Sequence, residues 1–131
     1  MKTKTITAIS ALLALTVPAA FAISLDDAAA NLLMFEHAAL SADYCEKRGY
    51  PSRSIYSPRQ QKYAHLQRES AKRILSEGER RGLAKTSDQE VMLSEVTAHL
   101  NKTASESIAK KGIPCSKYRA FMDGFHELLK K

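Results

Sequence analysis

The chain has 131 residues, 26% of them charged, with 20 Lys and Arg against 14 Asp and Glu, no tryptophan and two cysteines. That length suits one modest hydrophobic core, and a formal charge of +6 is too mild for a dedicated polyanion binder. Two distant cysteines without a neighbouring Cys or His partner exclude a zinc-finger framework and covalent haem.

At the front, Lys2 and Lys4 precede an apolar run from Ile6 to Val17, followed by Pro18 and the small-residue pattern Ala20, Phe21, Ala22. This predicts a secretory signal peptide over residues 1–22, cleaved after Ala22. The run is shorter than the roughly 20 apolar residues that a membrane-spanning helix needs. Residues 23–131 are therefore expected to be one soluble helical domain, periplasmic or secreted, with a formal charge of +4. Export argues against nucleic acid as a partner, and peripheral membrane contact is not expected. In an oxidising compartment two thiols in a small domain are expected to pair, giving a disulfide from Cys45 to Cys115.

Four segments carry helical periodicity and none alternates as a half-buried strand would. The first is expected to start with Ser24 as N-cap and Asp26 and Asp27 in its first turn, where the helix dipole favours negative charge. Its inner stripe is Leu25, Ala28, Leu32, Phe35, Ala39, Ala42 and Cys45. Gly49 and Pro51 end it, and "GYPSRSIY" reads as a loop. The second is expected to open at "SPRQ", with Ser57 as cap, Pro58 in the first helical position and Gln60 closing a capping box. Tyr63, Leu66, Ser70 and Ile74 form its inner stripe, Gly82 ends it, and Gly78 is expected to fray or bend its last turn at a cost of about 1 kcal/mol relative to alanine. The third should be capped by Ser87 with Glu90, turning Leu93, Val96, Leu100, Ala104 and Ile108 inward up to Gly112. The fourth should start at Pro114, with Cys115, Tyr118, Met122, Phe125 and Leu129 on its inner side.

The fold expected is thus all-α, a small up-down-up-down four-helix bundle. In that topology the end of the first helix and the start of the fourth meet at one end of the bundle. Cys45 and Cys115 occupy those two places, both on inward stripes, so the fold and the disulfide support each other.

Chemistry is sparse. His37, His65, His99 and His126 fall one per helix, without His-x3-His, H-E-x-x-H or E-x-x-H spacing, so no metal and no cofactor is expected. There is no G-x-S-x-G and no glycine-rich phosphate loop. Asp43 and Glu46 share a face of the first helix and read as a solvated edge rather than an acid-base pair. No catalytic residue is assigned, and the chain is not expected to be an enzyme.

Charge is more informative than motif. Residues 23–46 hold five acids and no Lys or Arg, whereas residues 47–85 hold eleven basic residues against Glu69, Glu77 and Glu79. The positive pole could simply pack beside the acidic first helix. It also offers Arg53, Arg59, Lys62, Arg68, Lys72 and Arg73, with Tyr50 and Tyr56 nearby, to a protein partner of acidic character. The sequence therefore points to an exported helical binding protein without catalytic activity. A histidine-containing pocket in a small enzyme or ligand-binding bundle is the alternative, and an acid-stress-type periplasmic chaperone that opens at low pH is the third reading.

Overall fold

Ser24 does what its place in the sequence requires: its Oγ accepts the Asp27 backbone N–H at 3.1 Å and opens the first helix. The computed structural model describes residues 23–131, and the expected signal peptide lies outside the described residues. Four helices follow in order, α1 (Leu25–Glu46), α2 (Arg53–Arg80), α3 (Thr86–Lys111) and α4 (Tyr118–Glu127), with a single 3-10 turn at Cys115–Lys117 before α4. Among the described residues there is no strand, and no helix is long and apolar enough to cross a membrane.

The helices alternate in direction. Arg53 at the start of α2 meets Asp43 near the end of α1, and Ser70 farther along α2 meets Asn31 near the start of α1. Asn101 of α3 bonds Glu36 in mid-helix, while Gly112 ends α3 beside the Tyr44 hydroxyl. The α4 segment then runs back from Cys115, bonded to Cys45, to Lys130, bonded to Asn31. This is the expected all-α up-down-up-down bundle. The disulfide joins residues 70 apart in sequence with Cα atoms 5.4 Å apart.

Two apolar clusters are strung along α1. One holds Ile23, Ala28, Leu32, Phe35, Leu66, Ile74 and Leu129; the other holds Ala38, Ala42, Cys45, Cys115, Tyr118, Met122 and Phe125. Ala38, not Ala39, is the fully buried alanine of this stretch of α1. The stripe drifts because a seven-residue step falls short of two full turns at 3.6 residues each. Buried hydroxyls on α1 and α4 bond each other. The Ser41 hydroxyl donates to Ala38 O at 2.7 Å and so receives the Tyr118 hydroxyl proton at 2.9 Å.

Three boundaries differ from those read from sequence. Helix α2 starts at Arg53, not at Ser57, and Pro58 lies in its second turn. Its first turn is satisfied from α1: Glu46 accepts the Arg53 N–H at 2.9 Å, and the buried Ser52 hydroxyl donates to Ala42 O at 2.8 Å. The Glu46 carboxyl is held below its ordinary range, first by that backbone hydrogen bond. Helix α3 starts at Thr86, with Ser87 inside the first turn making no cap bond; Gln89 instead ties that turn to Leu83 O at 2.8 Å. The fourth segment begins as the 3-10 turn, because the bond between Cys45 and Cys115 fixes the chain there before a full α-turn can close.

Gly78 neither frays nor bends α2. A Cβ there would come within 2.8 Å of Met92 Cε, so the end of the Met92 side chain packs into the space that glycine leaves. The helix ends at Arg80, and Gly82 just beyond it, whose φ of +104° suits glycine, lets the Leu83 N–H bond Gly78 O at 2.9 Å.

Candidate functional site

Five arginines of the positive pole are drawn into ion pairs by the fold. Glu77 is buried, and three arginines of α2 converge on it: Arg73 at 3.5 Å, Arg80 at 2.5 Å and Arg81 at 2.8 Å. Arg53 pairs with Asp43 of α1, and Arg59 places two nitrogens on Asp123 of α4 at 2.9 and 3.1 Å. The weak attraction expected between acidic α1 and basic α2 is thus confined to the Asp43 end. Arg68 and Lys72 stay exposed on the outer face of α2. Tyr56, in the first turn of α2 and not in a loop as read from sequence, packs half-buried with Ile55 against the second apolar cluster, and Tyr50 is 40% exposed.

Hydrogen bonds from Arg80 and Arg81 pull the Glu77 carboxyl down to about 2 from 4.5. His37 and His126 are pushed below the ordinary histidine value of 6.5, mainly by burial, with Lys111 adding to the first and Arg59 to the second. The signs give a pH profile. Histidines with lowered folded-state values favour the native state fully above about 6.5 and less as pH falls below it. Glu77 contributes fully above 4.5 and loses its contribution as pH falls toward 2. Thermal midpoints measured from pH 7 to 2 should therefore fall in two stages, and Glu77→Gln should flatten the second. An unchanged second stage in that variant would show that Glu77 does not govern it.

What the bundle adds is a seam between α2 and α4. At the disulfide end it is a groove of about 550 Å³ between Tyr50 and Pro51 of the loop with Ile55 of α2, and Lys117, Tyr118 and Arg119 on the α4 side. Toward the C-terminus it continues as a second depression of about 420 Å³ holding Arg59, Lys62, Tyr63, His126 and Lys131. Asp123 lies on both and joins them. The floor of the second depression is the Tyr63 ring stacked on His126, centroids 4.3 Å apart. The ammonium groups of Lys62 and Lys131 lie over that same ring, at 5.6 and 5.9 Å.

Five cations therefore line the seam, Arg59, Lys62, Lys117, Arg119 and Lys131, against Asp123 and Glu127, and only Arg59 is ion-paired. The reading from sequence found Arg59, Lys62 and Tyr50 but missed Lys117, Arg119 and Lys131 as neighbours of them. A signal was available for two of these: once Cys115 is bonded to Cys45, residues 117 and 119 must lie beside the loop that leaves α1.

Nucleophile or acid-base geometry is not assembled here. Asp123 is committed to Arg59, and His126, held by ring stacking, bonds neither Asp123 nor Glu127. Among the described residues no three His, Cys, Asp or Glu side chains are grouped to hold a metal ion. No protein-family model, curated protein or solved structure matches this chain.

Proposed function

We propose that this is an exported, non-catalytic binding protein that takes an acidic segment of a protein partner along the α2/α4 seam. The observation that carries the reading is the pair Lys62 and Lys131, two like charges over one tyrosine ring in a depression lined by more cations than acids. Such an arrangement costs repulsion that an anionic group relieves, while the ring face attracts both ammonium groups. The groove at Tyr50, Pro51 and Ile55 supplies an apolar anchor site next to Lys117 and Arg119, a combination typical of interaction hot spots. Arg68 and Lys72 extend the positive field along α2. Export is supported by the disulfide, since such bonds persist in oxidising compartments.

The test is a labelled peptide of alternating Glu and Leu titrated against the oxidised protein at low and moderate salt. Reversal of Lys62 and Arg119 together to glutamate should weaken binding by at least about tenfold, or about 1.4 kcal/mol, and raised salt should weaken the native protein similarly. Salt-insensitive binding, or equal affinity in the reversed protein, would refute the seam as the acidic-partner site.

A further inference from the structure

The disulfide end of the bundle collects cations that lie far apart in the chain. Lys47 and Arg48 follow α1, Lys110 and Lys111 close α3, and Lys117 and Arg119 flank the start of α4. The bond between Cys45 and Cys115 holds these helix ends together, and all six side chains are exposed. Among the described residues none of the six is ion-paired. The neighbouring acids are already engaged: Asp43 pairs with Arg53, and Glu46 accepts the Arg53 N–H and the Ser52 hydroxyl. Residues 43–53 and 106–119 hold seven Lys and Arg against Asp43, Glu46 and Glu106, a formal +4 that equals the charge of all of residues 23–131. The net charge of the domain thus sits at one end. Two loops form the tip of that end, with Tyr50 40% exposed and Pro51 and Pro114 exposed beside it. The Arg48 guanidinium lies 3.4 Å over the Tyr44 ring and donates to Tyr44 O at 3.0 Å, which fixes it there.

We propose that this end of the bundle is a peripheral membrane-binding face, which rests its two loops and six cations on an anionic phospholipid surface. The cations come from three separate helix ends, so one extended peptide meets only some of them, whereas a plane of headgroups meets them together. Each basic residue close to an anionic bilayer strengthens attachment by roughly fivefold. A molecule charged at one end is also turned by the field of such a surface, so that this end arrives first. Tyrosine suits the tip, because its ring is apolar and its hydroxyl is polar, and such side chains settle at headgroup depth. From the sequence no membrane contact is expected, since the cations stand in three short stretches; the fold and the disulfide gather them. The proposal goes beyond the acidic-partner reading. Lys47, Arg48, Lys110 and Lys111 line neither depression of the seam, while Tyr50, Pro51, Lys117 and Arg119 belong to both surfaces.

Co-sedimentation of the oxidised protein with vesicles of phosphatidylcholine containing about 30% phosphatidylglycerol tests it. Expected is binding that vesicles of phosphatidylcholine alone do not support and that about 1 M salt abolishes. Lys110→Glu combined with Lys111→Glu should lower the partition coefficient by at least about tenfold. Lys72→Glu combined with Lys85→Glu changes the net charge equally at exposed positions toward the opposite end, and should lower it by less than about threefold. Vesicle binding by a protein that fails to take the acidic peptide would support this face and refute the seam reading alone. No binding to the anionic vesicles, equal binding to phosphatidylcholine alone, native partition in the Lys110 and Lys111 reversal, or equal losses in the two reversals would overturn the proposal.

Discussion

Replacing Cys45 and Cys115 together by serine is expected to lower the unfolding free energy by roughly 4 kcal/mol. The figure follows from the 70-residue span that the bond closes, which removes that loop's entropy from the unfolded chain. For a domain of this size the thermal midpoint should drop by about 15–20 °C. Calorimetry on the native and double-serine proteins checks it, and a midpoint within about 3 °C of native would show that the bundle does not depend on the tie. The same substitution bears on the seam. Cys45 lies just before the loop that presents Tyr50, and Cys115 just before Lys117 and Arg119, so one covalent bond sets the width of the groove between them. The acidic-peptide affinity is accordingly expected to fall in the double-serine protein even below its lowered midpoint, where the helices are still formed.

Asn31→Leu should destabilise by about 2–3 kcal/mol although it places an apolar side chain in an apolar setting. Asn31 is fully buried on the inner side of α1, and its amide closes a reciprocal pair with the last turn of chain: Nδ2 donates to Lys130 O at 2.8 Å and Oδ1 accepts the Lys130 N–H at 2.7 Å. Nδ2 also reaches Ser70 Oγ of α2 at 3.2 Å. Leucine has nearly the right volume but leaves the Lys130 peptide groups without partners, at about 1–3 kcal/mol for each group kept buried. The chain's alternative is to peel away and rehydrate, which pulls Leu129 out of the first apolar cluster and forfeits about 1.5–3 kcal/mol of side-chain burial. Hydrogen exchange at residues 128–131 should then approach the unprotected rate while the centres of α1 and α2 stay protected. Asn31→Asp is the sharper control, since it keeps the acceptor for Lys130 N–H but buries a charge and loses both donors. If Asn31→Asp proved milder than Asn31→Leu, the hydrogen-bond account of this clasp would be wrong. Because Lys131 follows the clasped residue, both variants are also expected to loosen its ammonium from the Tyr63 ring and weaken binding at that end of the seam.

Several elements were legible because their determinants are local or periodic. Ser24 caps α1 through an atom three residues away, Gly82 ends α2 through its own backbone freedom, and the inner stripes repeat at helical spacing. Other elements were not. Ser57, Pro58 and Gln60 look like a helix start in isolation, but the actual start is satisfied by Glu46 and Ala42 of a different helix, so no local rule reveals it. Asn31 sits among apolar neighbours where a polar residue carries no signal until its partners, 39 and 99 positions away, are in place. Gly78 reads as a weakness along α2, and that the end of the Met92 side chain packs over it shows only once α3 is in place.

The sequence by itself determined the all-α class, the alternating bundle and its cysteine tie, because helix periodicity and the order of elements leave few ways to bury four stripes together. Only the tertiary structure decided which charges remain available. Formal charge is a property of each residue, but what a cation meets depends on what folds around it: Arg73, Arg80 and Arg81 share the single carboxylate of Glu77, while Lys62 and Lys131, 69 positions apart, meet over one ring. Electrostatic interactions act through space and fall off with distance, so the address of the binding face is written in the packing of α4 against α2.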